Sequence, residues 1–182
     1  MKAKINKVTV RLTRETVLTV DAAGVVNATD PNLSLPPEFV AKAGIEVVRE
    51  CTIIGWCDVG TATVTTAGGL AAEKIIHAVG PRWGEGSERG KLASATWECL
   101  HLAEENSLKS IALPAISTGA MGYPLENCAT TMITQIVDFT FEDLKHLRTI
   151  ILCLPDELAF DAFKREFKQQ LEQLRQSGAA TV

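Results

Sequence analysis

The stretch Ile111-Ala112-Leu113-Pro114-Ala115-Ile116-Ser117-Thr118-Gly119-Ala120-Met121-Gly122-Tyr123-Pro124 constrains the fold more than any other part of the chain. Its first half is short and apolar enough for a buried strand, and Pro124 suits a first helical position, where a missing N–H costs nothing. Between them, Gly119 and Gly122 can take φ > 0 and let the backbone come close to a bound group. N–H groups at the start of a helix point outward at the positive end of its macrodipole, which favours an anion. Ser117, Thr118, Gly119, Ala120, Met121, Gly122 and Tyr123 are therefore the candidate binding residues, an ordinary connection being the alternative reading.

Elsewhere, short β-rich runs alternate with longer amphipathic segments, a pattern that points to a sheet covered by helices. Strands are expected at 8–12, 24–28, 61–66, 74–79, 110–115 and 149–154, and helices at 37–49, 90–105, 124–139 and 157–174. The last helix places Phe160, Phe163, Phe167, Leu171 and Leu174 on one face as a core stripe, with Asp161 and Arg165 as an i,i+4 pair on another. Ala67-Gly68-Gly69-Leu70 reads as a hairpin turn.

At 182 residues the chain is expected to form one domain over its whole length, with a core from about residue 5 to 174 and a frayed tail at 177–182. No apolar run approaches the roughly 18 residues of a membrane span, and no apolar region follows the charged start Met1-Lys2-Ala3-Lys4. A cytoplasmic location without membrane contact is the expectation. The five cysteines, Cys51, Cys57, Cys99, Cys128 and Cys153, are scattered and lack C-x-x-C spacing, which argues against a disulfide framework and a structural zinc site. No metal and no cofactor are expected. With a net charge of −4 and no Lys/Arg block, nucleic acid is not an expected partner.

Two further motifs, Cys57-Asp58-Val59-Gly60-Thr61-Ala62 and Lys74-Ile75-Ile76-His77-Ala78-Val79-Gly80-Pro81-Arg82-Trp83, precede Asn106-Ser107-Leu108-Lys109-Ser110 and the opening strand and loop. In this order and spacing, over about residues 5–172, the chain resembles the macro domain family. The resemblance implies a three-layer α/β/α sandwich with a mixed, mostly parallel sheet and a cleft at the strand ends for ADP-ribose or a related metabolite. It also implies a small-molecule ligand or an ADP-ribosylated protein as partner. The departures cluster at that cleft. Where the family carries a Gly-Asp-Ile whose aspartate accepts from adenine, this chain has Glu15-Thr16-Val17. The family's Asn-Ala-Ala-Asn becomes Asn27-Ala28-Thr29-Asp30, and Leu33-Ser34-Leu35-Pro36-Pro37-Glu38-Phe39 replaces the glycine-rich first phosphate loop. Met121 stands where the family often has an aromatic residue, and Leu154-Pro155 where it often has an aromatic-Asp pair.

Losing a carboxylate–adenine hydrogen bond alone weakens binding roughly ten- to a hundredfold. The resemblance, so qualified, implies weak binding of ADP-ribose or a related phosphate-bearing nucleotide through residues 117–123. One alternative is hydrolysis of ADP-ribosyl esters or of ADP-ribose 1″-phosphate, which in active relatives uses residues this chain lacks. The other is a macro fold serving as an interaction surface. Asn27 is a candidate ribose contact or a turn cap. Asp30 is the one candidate general base, against its reading as a solvated loop acid, and Glu38 lies nearby in sequence. His77, inside an apolar run, reads as a hydrogen-bonded structural histidine. Tyr123 either covers a bound phosphate or packs onto the following helix.

Overall fold

The computed structural model describes residues 1–182. The first half contains β1 (Lys2–Ile5), β2 (Val8–Thr13), β3 (Gly24–Thr29), α1 (Pro37–Ala43), α2 (Ile45–Ile54), β4 (Ala62–Thr66) and β5 (Lys74–Val79). The second contains α3 (Glu88–Glu105), β6 (Ser110–Leu113), α4 (Leu125–Phe139), β7 (Thr149–Cys153) and α5 (Glu157–Ser177). One seven-stranded sheet runs β1-β2-β7-β6-β3-β5-β4, its five inner strands parallel and its two edges, β1 and β4, antiparallel.

Consecutive side chains of a strand face opposite sides, so the continuous apolar runs of the inner strands need cover on both. Val26, Ile76, Ile111, Leu113, Ile150 and Leu152 meet α3, α4 and α5 in a core that includes Leu100, Met132, Phe163 and Phe167. Their neighbours Val25, Ile75, Val79, Ala112 and Ile151 meet Phe39 and Ala43 of α1 and Val47 and Cys51 of α2. The molecule is thus a three-layer α/β/α sandwich with a mixed, mostly parallel sheet. The helices after β3 lie on one face and the helix after β6 on the other. A crevice therefore opens between the carboxyl ends of these neighbouring strands, where open α/β sheets bind ligands.

Several local expectations are corrected. β1 was not anticipated, because only Ile5 of its four residues is buried and no apolar alternation marks it. The helix expected over 37–49 divides at Gly44, whose φ of 92° stops α1 and whose N–H closes onto the Val40 carbonyl; α2 then runs on to Ile54. Pro124 precedes α4 as an extended cap (φ −61°, ψ 134°) and is not its first helical residue. Arg165 ignores Asp161 and reaches Glu126 on α4 at 2.7 Å. α5 runs through Ser177, and beyond it Thr181 exchanges hydrogen bonds with Asn6 at 2.7 and 3.3 Å. The hairpin between β4 and β5 exists, though its connection is longer than a tight turn and docks on α1 through Gly69 N–H to the Ala43 carbonyl, 2.9 Å.

Candidate functional site

A cleft of about 450 Å³ lies in this crevice. Its floor and walls come from the end of β3 (Ala28, Thr29, Asp30), the following first loop (Ser34, Leu35, Pro36), Gly80 after β5, and the second loop from Ala115 to Met121.

The second loop turns in two short steps. Thr118 donates from Oγ1 to the Ala115 carbonyl at 2.8 Å, Gly122 N–H to Gly119 at 3.0 Å, and Tyr123 N–H to Ser117 at 2.9 Å. The N–H groups of Ser117, Gly119, Ala120 and Met121 donate to no acceptor in the chain. Four donors thus stay free in the loop ahead of α4. The left-handed conformation expected at Gly119 falls instead on Ser117 (φ 67°), while Gly122 (φ 74°) has it as expected.

Ser117 is 8 % exposed, and its Oγ is the only buried side-chain polar atom in the protein without a hydrogen-bond partner. Such groups are rare in folded proteins, and each calls for an explanation. Gly80 makes room for it. A Cβ there would lie 2.2 Å from Ser117 Oγ and 2.6 Å from Ile116 Cγ2. Tyr123 is placed away from the cleft, 3 % exposed within the core, its ring edge-on to Trp83 at 5.0 Å, and burial raises its hydroxyl pKa.

The first loop turns several of its donors inward, while the N–H groups of Asp30 and Leu35 and the Ser34 hydroxyl keep no acceptor. Asp30 Oδ1 accepts from the N–H of Asn32 at 2.9 Å and of Ser34 at 3.4 Å, and its carbonyl accepts from Leu33 N–H at 2.9 Å. Asp30 is therefore the organiser of its own loop, and only its other carboxylate oxygen is uncommitted. Pro36 and Pro37 have no N–H. The carbonyl of Ser34 is held by Thr29 Oγ1 at 2.6 Å and by Asn27 Nδ2 at 3.3 Å.

Asn27 lies beneath the cleft and is 1 % exposed. Its amide also donates to His77 Nδ1 at 3.2 Å, and His77 Nε2 meets Thr65 Oγ1 at 2.8 Å. Because the Thr65 hydroxyl itself donates to the Thr66 carbonyl, it accepts from Nε2–H, which assigns the tautomer of His77. Burial pushes the His77 pKa down to about 4 against the opposing pull of Glu50, so the ring is neutral and structural. Cys51 Sγ lies 3.7 Å from Nε2, and burial raises its pKa, with Glu50 adding to the effect. Neither side chain reaches the cleft. Glu38 is exposed outside it.

At the end of the sheet where the departures Thr16 and Pro155 stand, sequence reasoning missed a cation. Arg14 donates twice to the Pro155 carbonyl, at 3.1 and 2.8 Å, and lies 5.8 Å from the centre of the Phe160 ring. Its partners are more than 140 residues away, and no local pattern announces them.

Residues 26–132 match the family described as Macro domain. An uncharacterised protein of Sulfurisphaera tokodaii is 39 % identical over 89 % of this chain and 92 % of its own length. A protein of Salmonella typhimurium named O-acetyl-ADP-ribose deacetylase is 37 % identical over 79 % of this chain and 85 % of its own. The solved macrodomain of Oceanobacillus iheyensis with ADP superposes with a TM-score of 0.85 at 24 % identity, covering 95 % of this chain and 97 % of that one, a likeness of fold.

Proposed function

Because this chain belongs to the macro domain family, we propose that its cleft binds ADP-ribose or a related phosphate-bearing nucleotide, with the phosphate held by residues 117–122. The observation that carries this reading is the set of four free N–H groups joined by the orphaned Ser117 hydroxyl, all in the loop between β6 and α4. An anion seated in this loop would supply acceptors to such donors. Family members of known structure include one solved with ADP, which supports the choice of ligand class.

Affinity is set low by what the other wall lacks. Pro36 and Pro37 offer no N–H, the Asp30 carboxylate sets like charge beside a phosphate, and Thr16 supplies no carboxylate to an adenine. Titration calorimetry with ADP-ribose tests the proposal. Binding weaker than low micromolar, abolished by Gly80→Val, is the expected outcome; no heat at millimolar ligand would refute it.

A hydrolytic reading draws support from the relatives named O-acetyl-ADP-ribose deacetylase. Among residues lining the cleft the sole acid–base side chain is Asp30, which anchors its own loop through Oδ1, so binding without turnover is the reading preferred here. The five cysteines are all buried and unpaired, which suits a reducing compartment such as the cytoplasm.

A further inference from the structure

Two buried side chains outside the cleft govern what its first wall offers a ligand. Asn27 and Thr29 stand two residues apart on β3, so both point to the same side of the sheet, and both donate to the Ser34 carbonyl, at 3.3 and 2.6 Å. In a trans peptide, as every one here is, the carbonyl and the N–H of one planar unit are directed oppositely. Holding the Ser34 oxygen against the end of β3 therefore turns the Leu35 N–H of the same unit the other way. That N–H finds no acceptor in the chain, and Ser34 and Leu35 both line the cleft.

Asn27 is held in its turn. His77, its partner in the register of β3 with β5, accepts from the Asn27 amide at Nδ1, 3.2 Å, while its Nε2–H donates to Thr65 Oγ1 at 2.8 Å. Because the Ser34 oxygen and the neutral Nδ1 are both acceptors, they take the two amide hydrogens of Asn27 and leave none for a ligand. Both residues are buried. We infer that Asn27 and His77 are positioning residues: through the Ser34 carbonyl they aim the Leu35 N–H into the cleft, as a fixed donor to a ligand oxyanion on the wall facing the second loop. Thr29 holds the same carbonyl from the exposed side. This inference rests on the reading of the cleft as an anion site, and assigns the machinery of its first wall.

The experiment follows backbone amides by ¹⁵N NMR while the full chain is titrated with ADP-ribose, as wild type, Asn27→Ala, His77→Asn and His77→Gln. In wild type the Leu35 amide is expected to shift together with those of Gly119, Ala120 and Met121. Asn27→Ala should abolish the Leu35 response and weaken binding about tenfold, the worth of one hydrogen bond to a charged group, while the second-loop amides still respond at higher ligand concentration. Asn27→Ala binding within about twofold of wild type overturns the inference. The histidine variants separate positioning from packing, since each leaves a polar amide in the same buried place. An asparagine amide falls where Nδ1 was and can accept from Asn27, whereas a glutamine amide falls where Nε2 was and reaches Thr65 instead. His77→Asn should bind within about threefold of wild type, and His77→Gln should fall as far as Asn27→Ala. Equal affinities of the two histidine variants overturn the inference, and this comparison decides the matter if Asn27→Ala does not fold. A Leu35 amide that stays still in wild type while the second loop responds overturns it too and leaves the anion site standing. If no amide of the second loop moves, the anion site itself is refuted, and the inference with it.

Discussion

Replacing Ser117 by alanine should move stability and binding in opposite directions. The hydroxyl is buried and unbonded in the ligand-free protein, and such a group costs about 1–3 kcal/mol of desolvation. The left-handed backbone at 67° strains serine and alanine alike, so it cancels in the comparison. Removing the oxygen should therefore raise the stability of the free protein by about 1 kcal/mol, seen as a rise in Tm of about 2–4 °C for a chain of this size. In the complex the same oxygen donates to a charged group, worth about 1.5–3 kcal/mol, so affinity should fall about ten- to a hundredfold. Thermal unfolding without ligand, alongside calorimetry with ADP-ribose or AMP, reads both effects. A Ser117→Ala protein destabilised by about 1 kcal/mol or more would show that the hydroxyl has a partner in solution. Unchanged affinity would show that it does not face the ligand. Either result refutes the reasoning.

The Glu104 carboxylate accepts from the backbone N–H of Lys145 (2.6 Å), His146 (3.0 Å) and Leu147 (2.7 Å), fixing the entry to β7. Burial raises its pKa, but these three bonds outweigh that effect and hold it below the ordinary value. Glu104→Gln should cost about 1 kcal/mol at neutral pH by denaturant unfolding, a figure reduced from the sum of three bonds because the group is partly solvated. As the folded pKa is the lower one, this contribution is complete above the unfolded value of about 4.5 and fades as pH falls through the folded value, so wild type and variant should converge in acid. His77, also depressed, follows the same sign in a higher window. Its stabilisation is complete above 6.5, and on the order of 3 kcal/mol should be lost as pH falls from there to about 4. Ring ¹⁵N shifts should report neutral Nε2–H throughout that range, and a midpoint near 6.5 would refute the buried network. Finally, neither wild type nor Asp30→Asn should release ADP-ribose from a modified carboxylate; turnover by wild type that Asp30→Asn abolishes would make Asp30 a general base.

The second loop was legible because its signal is local: an apolar run, two glycines and two prolines within fourteen residues. The inner strands were legible for the same reason, since burial on both faces leaves continuous runs such as Lys74-Ile75-Ile76-His77-Ala78-Val79. What stayed hidden depends on distance along the chain. Asn27 carries the same letters whether its amide faces a ribose or donates to His77, fifty residues on. Asp30 in a sequence cannot be told apart as a base, a solvated acid or the anchor of Asn32 and Ser34. The positive φ sits on Ser117 and not on Gly119, and the room for its side chain depends on Gly80 beyond β5, which the local sequence cannot announce. Arg165 chose Glu126 over Asp161 since α4 and α5 pack side by side, a fact of tertiary structure that helical spacing cannot supply.

The register of β2 against β7 pairs Thr9 with Thr149, residues 140 apart along the chain. At about 5–20 residues per second, a ribosome would keep β2 waiting about 7–28 s for its parallel neighbour, with β1 its only companion. During that interval the nascent chain exposes the unpaired edge of a strand rich in valine and threonine, the kind of surface on which growing chains aggregate. Arg11 on β2, with Lys2 and Lys4 on β1, gives the β1–β2 hairpin positive charge, which disfavours edge-to-edge pairing with another chain.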